Sequence, residues 1–209
     1  MWIEILKCAL CAVIGYALGN CTTGVFIAKF MGNIDIKKTG SGNAGTTNVL
    51  RTLGWKASVM TLVGDALKGL IAVIVGRWIG GTYGAYLGAI FAVLGHNWPA
   101  LQHFKGGKGV ATSFGAILAL NPWVALIMLV WQIVIVALTR YMSVASISSA
   151  ILFSVVVAIQ KWGDWLQILF AMIISALAIF CHRENIARLI AHKENKLDFA
   201  KINAISKKK

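Results

Sequence analysis

The stretch VATSFGAILALNPWVALIMLVWQIVIVALT, which runs from Val110 to Thr139, decides how many times the chain crosses a membrane. It contains 30 residues without a single charge. It could form one long tilted helix, or two shorter helices separated at Asn121 and Pro122, because proline interrupts a helix. Two helices give seven spans for the whole chain, whereas one helix gives six.

The composition indicates an integral membrane protein. Apolar residues make up 58% of the 209 residues, charged residues make up only 13%, and the mean hydropathy is +0.77. Soluble domains are less apolar and more highly charged. The apolar runs do not alternate with polar residues, which favours helices over a barrel. We predict one membrane-embedded domain, 1–209, with helices at about 5–28, 55–76, 83–96, 110–121, 123–139, 144–160 and 165–181.

The basic residues favour seven spans, because Lys and Arg accumulate in cytoplasmic loops. With seven spans, 16 of the 20 basic residues fall on one side of the membrane. With six, the basic tail 182–209 would lie opposite Lys105 and Lys108. We therefore predict an all-α bundle of seven transmembrane helices, with the amino terminus outside and the carboxyl terminus in the cytoplasm. A stripe of small residues at Gly80, Gly84 and Gly88 is expected to let these helices pack closely.

Two parts of this topology stay open. The fourth helix is short for a bilayer, so either it begins near Gly106 or the segment before it dips into the membrane. The tail from Arg188 onward mixes basic, acidic and apolar residues. It is expected either to lie on the anionic inner leaflet as an interfacial helix or to be solvated.

The first of three polar segments lies between the first two predicted spans. The glycines at Gly40, Gly42 and Gly45 fit a dinucleotide pattern, but that pattern requires a strand before it and a helix after it, so we reject this reading. Glycines still allow backbone N–H groups to approach an anion closely. The alternative is a flexible polar loop. The candidate binding and catalytic residues are Ser41, Gly42, Asn43, Asn48 and Arg51.

The second segment, FKGGKGVAT at 104–112, opens into a predicted helix. Gly109 stands where a Walker motif needs Ser or Thr to hold magnesium, which argues against nucleotide hydrolysis. Lysines interleaved with glycines before a helix predict an anion site built from backbone amides and the helix amino terminus. A positive-inside anchor would explain the lysines but not the glycines. Asn97 and Trp98 are interpreted as packing and interface residues. The candidate binding residues are His96, Lys105, Gly106, Gly107, Lys108, Gly109 and Thr112.

The third segment, Cys181 to Asn185, follows the last predicted span. His182 and Glu184 fit the H-x-E of zinc deaminases, but the required Pro-Cys-x-x-Cys partner is absent, so we expect no metal. His182 is suited to proton transfer or to donating a hydrogen bond to phosphate. Asn185 would share its helical face if the last span continued.

Asp65 and Lys68 form a pair inside the second predicted span, where ionisable residues are costly and face the bundle or a wet cavity. Mutual neutralisation and a role facing the substrate remain equal alternatives.

These segments resemble the three signatures of the bacterial acyl-phosphate:glycerol-3-phosphate acyltransferases, the PlsY family, over nearly the whole chain. The matching strings are GSGNAGTTN from Gly40 with Arg51, GHNWP from Gly95 with KGGKGVAT from Lys105, and HRENI from His182, together with the Asp65-x-x-Lys68-Gly69 element. The resemblance implies transfer of an acyl group from acyl phosphate to the 1-hydroxyl of glycerol 3-phosphate. The products are 1-acylglycerol 3-phosphate and phosphate, and the reaction is the committed step of phospholipid synthesis.

The resemblance also implies roles for individual residues. Ser41 and Arg51 are needed for activity, and the glycines at 106, 107 and 109 are tied to glycerol 3-phosphate binding. His182 and Asn185 support activity, and Glu184 supports integrity. We further expect no cofactor, a bacterial inner membrane, a monomer, a functional link to the enzyme that makes acyl phosphate, and no nucleic-acid partner.

The chemistry agrees with this resemblance, because acyl phosphate is already activated and the protein must chiefly position two anions and stabilise an oxyanion. Either His182 is the general base, or a phosphate oxygen of the substrate takes the proton and His182 orients it. A transporter for an organic phosphate is the competing class, but the chain shows no inverted repeat. A purely structural scaffold would leave the three glycine-rich segments unexplained.

Overall fold

The computed structural model describes residues 1–207 and is helical throughout its regular elements. Lys208 and Lys209, the last residues of the predicted tail, lie outside the described residues. The helices are α1 Trp2–Asn20, α2 Thr23–Gly32, α3 Thr46–Leu53, α4 Trp55–Asn97, α5 Val110–Leu120, α6 Pro122–Thr139, α7 Met142–Gln160, α8 Trp165–Cys181, α9 Arg183–Ile190 and α10 Phe199–Lys207. Short 3₁₀ turns lie at Ile36–Lys38 and Ala100–Gln102.

The long apolar stretch contains two helices, because the chain breaks at Asn121. The Asn121 side chain accepts a hydrogen bond from the Val124 backbone N–H, and Pro122 occupies the first turn of α6, where a missing N–H costs nothing. The predicted first span is interrupted, because α1 ends at Asn20 and α2 starts at Thr23. The two helices together, Trp2–Gly32, still make one candidate membrane span, so the span over 5–28 is confirmed but not as one continuous helix.

The second and third predicted spans, 55–76 and 83–96, are the two arms of α4. Gly80 and Gly81 leave helical geometry, and Gly81 has a φ of 59°. A Cβ added to Gly88 would collide with the carbonyl of Ala72. In a straight helix residues 72 and 88 would be about 24 Å apart, so α4 folds back on itself as an antiparallel hairpin.

Close packing of this hairpin depends on the predicted stripe of small residues. Added Cβ atoms at Gly76 and Gly84 would each meet the other residue's carbonyl oxygen, and α1 approaches the second arm equally closely where Gly15 faces Gly88. Only residues without a side chain allow backbones to come this close. Gly84 and Gly88 are therefore packing positions, as predicted, whereas Gly80 lies at the bend of the hairpin.

Four helical segments among residues 1–207 are long and apolar enough to cross a membrane, and α8 with α9, bent by 56°, would make a fifth. Those four are Trp2–Gly32, Trp55–Gln102, Pro122–Thr139 and Met142–Gln160. Large apolar side chains are exposed along them, for example Phe30, Trp78, Trp123 and Ile159. Such a surface fits hydrocarbon and not water.

The described chain forms two compact units. The first comprises Met1–Ala116 with the carboxyl-terminal segment from Asp198, and the second comprises Ile117–Leu197. In the first unit, a cluster of buried apolar residues holds α2, the turn at Ile36–Lys38 and α3 together. Its members are Ala28, Ile36, Ala44, Val49, Leu53 and Ala57. In the second unit, α7 packs on both α6 and α8.

Candidate functional site

The first segment is a tight loop built around the side-chain amide of Asn48, which is buried in α3. Its oxygen accepts the Ser41 backbone N–H at 2.9 Å, and its nitrogen lies 2.9 Å from the carbonyls of Thr39 and Asn43. Gly40 takes a φ of 62°, a value that favours glycine. Asn48, predicted to bind substrate, thus shapes the loop and presents Ser41 at its exposed tip.

Asn43 joins the first segment to the second. Its oxygen accepts the Gly45 backbone N–H at 2.9 Å, and its nitrogen donates to the carbonyl of Gly106 at 3.3 Å. Arg51 lies one turn farther along α3 than Asn48 and is partly buried. The two glycine-rich segments lie on either side of the 43-residue helix α4 and therefore meet, as the prediction of a common site requires.

Lys37, just before the first segment, makes a further contact with Gln102, just before the second. Its ammonium donates to the backbone carbonyl of Gln102 at 3.0 Å and to its side-chain oxygen at 2.7 Å. Burial lowers the pKa of Lys37; the negative charge of Asp35 opposes this effect and the positive charge of Lys105 adds to it. Lys105 itself is exposed, so this part of the surface is cationic and accessible.

Gly106 and Gly107 pack directly on the carboxyl-terminal end of α4. Their N–H groups donate to the carbonyls of Asn97 and His96, at 3.2 and 3.0 Å. A Cβ on Gly107 would collide with the imidazole Nε2 of His96. These two amides were predicted to bind an anion, but in this structure they satisfy the last carbonyls of a helix instead. The groups of this segment that remain candidates for anion binding are Lys108, Gly109 and the first turn of α5.

A small set of buried polar atoms lies beside that turn. Both side-chain polar atoms of Asn97 and the hydroxyl of Thr112 have no hydrogen-bond partner within the described residues. Gly109, with a φ of 77°, fits against the Asn97 amide, where a Cβ would come within 2.8 Å. Buried polar groups without partners are costly unless a ligand or water completes them. Asn97, which we had interpreted as a packing residue, is therefore an additional candidate for binding.

Asp65, Lys68 and His96 form one buried network beneath the second segment. The Lys68 ammonium lies 2.8 Å from an Asp65 carboxylate oxygen, 2.7 Å from His96 Nδ1 and 2.8 Å from the Cys21 carbonyl. An ammonium can only donate, so Nδ1 accepts and the neutral imidazole has its proton on Nε2, facing Gly107. The donors of Lys68 are used within the protein, which favours mutual neutralisation over contact with substrate.

His182 lies at the bend between α8 and α9, so the last span does not continue straight to Asn185 as the shared-face argument assumed. The imidazole is buried, and its Nδ1 is 2.7 Å from the carbonyl of Ala178. A carbonyl only accepts, so Nδ1 has the proton in this geometry. The lone pair of the neutral ring is then on Nε2, the arrangement that a general base needs.

Asn185 is positioned by Glu194, a residue that the sequence analysis had not considered. The Glu194 carboxylate is 4% exposed and accepts hydrogen bonds from Asn185 Nδ2 at 2.7 Å, Ser143 Oγ at 2.9 Å and Arg188 Nε at 2.8 Å. Although burial favours the neutral acid, the three hydrogen bonds and the charge of Arg188 together lower the pKa of Glu194. Glu184, by contrast, is 78% exposed and only reaches 4.0 Å from Arg188.

The candidate residues are thus distributed over both units. The first unit holds the first two segments and the Asp65–Lys68–His96 network, and the second unit holds His182, Glu184 and Asn185. No spacing pattern in the sequence marks Glu194. Asn97 did have one, since it follows His96 at the end of a predicted span.

Comparison with known proteins gives the same family as the motifs in these segments. The family model "Glycerol-3-phosphate acyltransferase" matches residues 9–192. A glycerol-3-phosphate acyltransferase of Thermoanaerobacter sp. (strain X514) is 44% identical over 188 residues, which cover 90% of this chain and 94% of that protein.

Two solved structures are also similar, with 36% identity and coverage of 93% of this chain. They are crystal structures of PlsY (YgiH), an integral membrane glycerol 3-phosphate acyltransferase, in its glycerol 3-phosphate form (TM-score 0.86, 98% of that chain covered) and its lysophosphatidic acid form (TM-score 0.85, 97% covered). Because the family model spans most of the chain and these relatives match it almost end to end, the protein belongs to the glycerol-3-phosphate acyltransferase family and is an integral membrane protein.

Proposed function

We propose that the protein transfers the acyl group of an acyl phosphate to the 1-hydroxyl of glycerol 3-phosphate and releases 1-acylglycerol 3-phosphate and inorganic phosphate. The observation that supports this most directly is the junction of the first two segments. There the Asn43–Gly106 hydrogen bond joins the loop with the exposed Ser41 to the segment with Lys105. Beside this segment are the polar atoms of Asn97 and Thr112 that have no partner among residues 1–207. Neutral polar groups with cations beside them suit a phosphorylated alcohol.

Within this proposal, Arg51, Lys105 and Lys108 attract and hold the phosphates, since two anions must be brought together against their repulsion. Ser41, Asn97 and Thr112 donate hydrogen bonds to phosphate or to the glycerol hydroxyls. Gly42, Gly106, Gly107 and Gly109 allow the loops to pack closely, and Asn43, Asn48, Asp65, Lys68 and His96 hold those loops in place.

Proton removal is assigned to His182 Nε2, supported by the Nδ1 hydrogen bond to Ala178. Transfer of the hydroxyl proton to a substrate phosphate oxygen is the alternative, in which His182 only orients the phosphate. A His182→Gln variant with near-normal turnover would eliminate the first mechanism. Asn185 is the neighbouring polar group, held by Glu194.

The proposed topology has seven spans in a single functional domain, with the amino terminus outside and the carboxyl terminus in the cytoplasm. The break before α6 and the hairpin of α4 support this count. The active site would then face the cytoplasm of a bacterial inner membrane, where acyl phosphate arrives from the enzyme that makes it. We propose that the protein acts there as a monomer without a cofactor.

The test is phosphate release by purified protein in detergent or lipidic cubic phase, with palmitoyl phosphate and glycerol 3-phosphate. We expect release that requires both substrates, is accompanied by lysophosphatidate, and is lost in Ser41→Ala and Arg51→Ala. Lys161→Ala, an exposed lysine directly after α7 and outside all three polar segments, is the control and should behave as wild type. Absence of turnover together with uptake of glycerol 3-phosphate into liposomes would overturn the proposal in favour of a transporter.

A further inference from the structure

The carboxyl-terminal helix α10 returns to the first unit and packs on α3 and on the start of α4. Ile202 is buried in this contact, and the Phe199 ring stacks on Trp55 with centroids 6.4 Å apart and planes 4° from parallel. The tail was expected to be solvated or to lie on the membrane surface. This part of it instead docks onto the protein, because Phe199 and Ile202 find apolar partners there.

The polar contacts of α10 converge on the junction between α3 and α4. Asn203 Oδ1 accepts the indole N–H of Trp55 at 2.9 Å, and Ser206 Oγ accepts the Trp55 backbone N–H at 3.0 Å. Trp55 is the first residue of α4, and the N–H groups of a first helical turn have no acceptor within their own helix. Gly54, the residue before it, has no side chain that could serve as a cap. Ser206 therefore caps α4 from 151 positions away.

Gly54 permits this contact through its backbone conformation and its lack of a side chain. Its φ of 83° favours glycine, and a Cβ there would collide with Ser206 Oγ. The same residue ends α3, where its N–H donates to the carbonyl of Leu50 at 3.1 Å. Arg51 lies on the last turn of α3, directly before this junction.

We propose that α10 fixes the α3–α4 junction, and that Asn203 and Ser206 are positioning residues for Arg51. The inference rests on the proposed function, in which Arg51 binds a substrate phosphate. At its amino-terminal end α3 is held by the Asn48 hydrogen bonds, and at its carboxyl-terminal end by α10. Loss of the second anchor lets the last turn of α3 shift, which weakens phosphate binding while the reacting groups remain intact.

The test compares Asn203→Ala/Ser206→Ala with Lys207→Ala, an exposed position in the same helix. Alanine preserves the helix. The double variant loses the two bonds to Trp55 and also the bond of 2.9 Å that Ser206 Oγ donates to the Ile202 carbonyl within α10. At saturating palmitoyl phosphate we expect the double variant to raise KM for glycerol 3-phosphate by about tenfold with little change in kcat, and the control to match wild type. A fall in kcat with unchanged KM overturns the proposal, because partial unfolding lowers the amount of active enzyme without changing KM. No change in either constant overturns it as well.

Docking can be measured without turnover by tryptic cleavage after Lys201, which is retained in every variant. Cleavage needs local unfolding of α10, so the double variant should be cut about tenfold faster than the control. If the double variant does not fold, Asn203→Ala alone replaces it in both measurements, since it removes only one exposed hydrogen bond. We then expect a smaller increase in KM for glycerol 3-phosphate. Wild-type protein inactive on acyl phosphate would refute the proposed function, whereas active wild type with equal cleavage rates and equal KM values would refute only the role of α10.

Discussion

Glu194→Gln is the substitution that most directly tests how the third segment is held together. Glutamine has nearly the same shape as glutamate but lacks its charge, and one carboxylate oxygen is replaced by an NH₂ group. In the native protein one oxygen accepts from Ser143 and Asn185, and the other accepts from Arg188. Whichever way the new amide turns, its NH₂ faces at least one donor.

The magnitude follows from these three contacts. A hydrogen bond to a charged group contributes about 1.5–3 kcal/mol. The substitution removes at least one of the three hydrogen bonds that the carboxylate accepts. Arg188 is 38% exposed and can turn to water, which lowers the cost at that position. We therefore expect a loss of about 2 kcal/mol in unfolding free energy, or about 4–8 °C in Tm. Because Asn185 loses its fixed orientation, kcat should fall by about tenfold.

The assay is thermal unfolding in detergent together with steady-state phosphate release. Glu184→Gln is the matched control, since it makes the same chemical change ten positions earlier on an exposed side chain. We expect this control to shift Tm by less than about 1 °C. Equal effects of the two substitutions, or a larger effect at Glu184, would refute this reasoning. Glu184 would then be the residue that supports structural integrity, as the family resemblance implies.

Three further predictions concern other contacts. Gly107→Ala forces a methyl group against His96 and should cost about 1–3 kcal/mol of unfolding free energy, measured by thermal denaturation; an unchanged Tm would contradict the packing described. Asn43→Ala removes the bridge to Gly106 and should raise KM for glycerol 3-phosphate by about fivefold, measured by steady-state kinetics, and an unaltered KM would show that the bridge is dispensable. Because the pKa of Glu194 is lowered in the folded protein, its stabilisation is complete above the unfolded value of about 4.3 and is lost as pH falls through the lower folded value. The Tm difference between wild type and Glu194→Gln should therefore shrink with acidification, and a constant difference would argue against an ionised Glu194.

The places where the chain breaks were largely readable from its local chemistry. Asn121 and Pro122 interrupt an apolar run because a proline and a capping side chain act on their own few residues of backbone. The small-residue stripe around Gly84 was equally readable, since close helix packing has a simple composition. The break after Asn20 was missed although Gly19 precedes it, because a single glycine is also tolerated inside a helix.

The family resemblance and the three motifs identified the polar segments, but not what each residue in them does. Asn48 and the amides of Gly106 and Gly107 looked like ligands for a phosphate, and in the structure they bind parts of the protein. A motif records which residue types are present, whereas hydrogen-bond partners depend on which carbonyl or carboxylate is brought near by other elements. The unpartnered amide of Asn97 was found only in that way.

By itself the sequence determined that the chain is a helical membrane protein, that its long apolar run breaks at Asn121 and Pro122, and which polar segments interrupt the apolar runs, because hydropathy, proline and glycine act locally. Tertiary structure alone decided that Glu194 and not Glu184 holds Asn185, and that α10 caps α4 at Trp55. It also decided that Lys68, whose pairing with Asp65 was readable from their spacing, in addition contacts His96 and the Cys21 carbonyl. Each of these is a contact between residues distant in the chain or on different turns. Such contacts are fixed by the packing of whole helices, which no local pattern specifies.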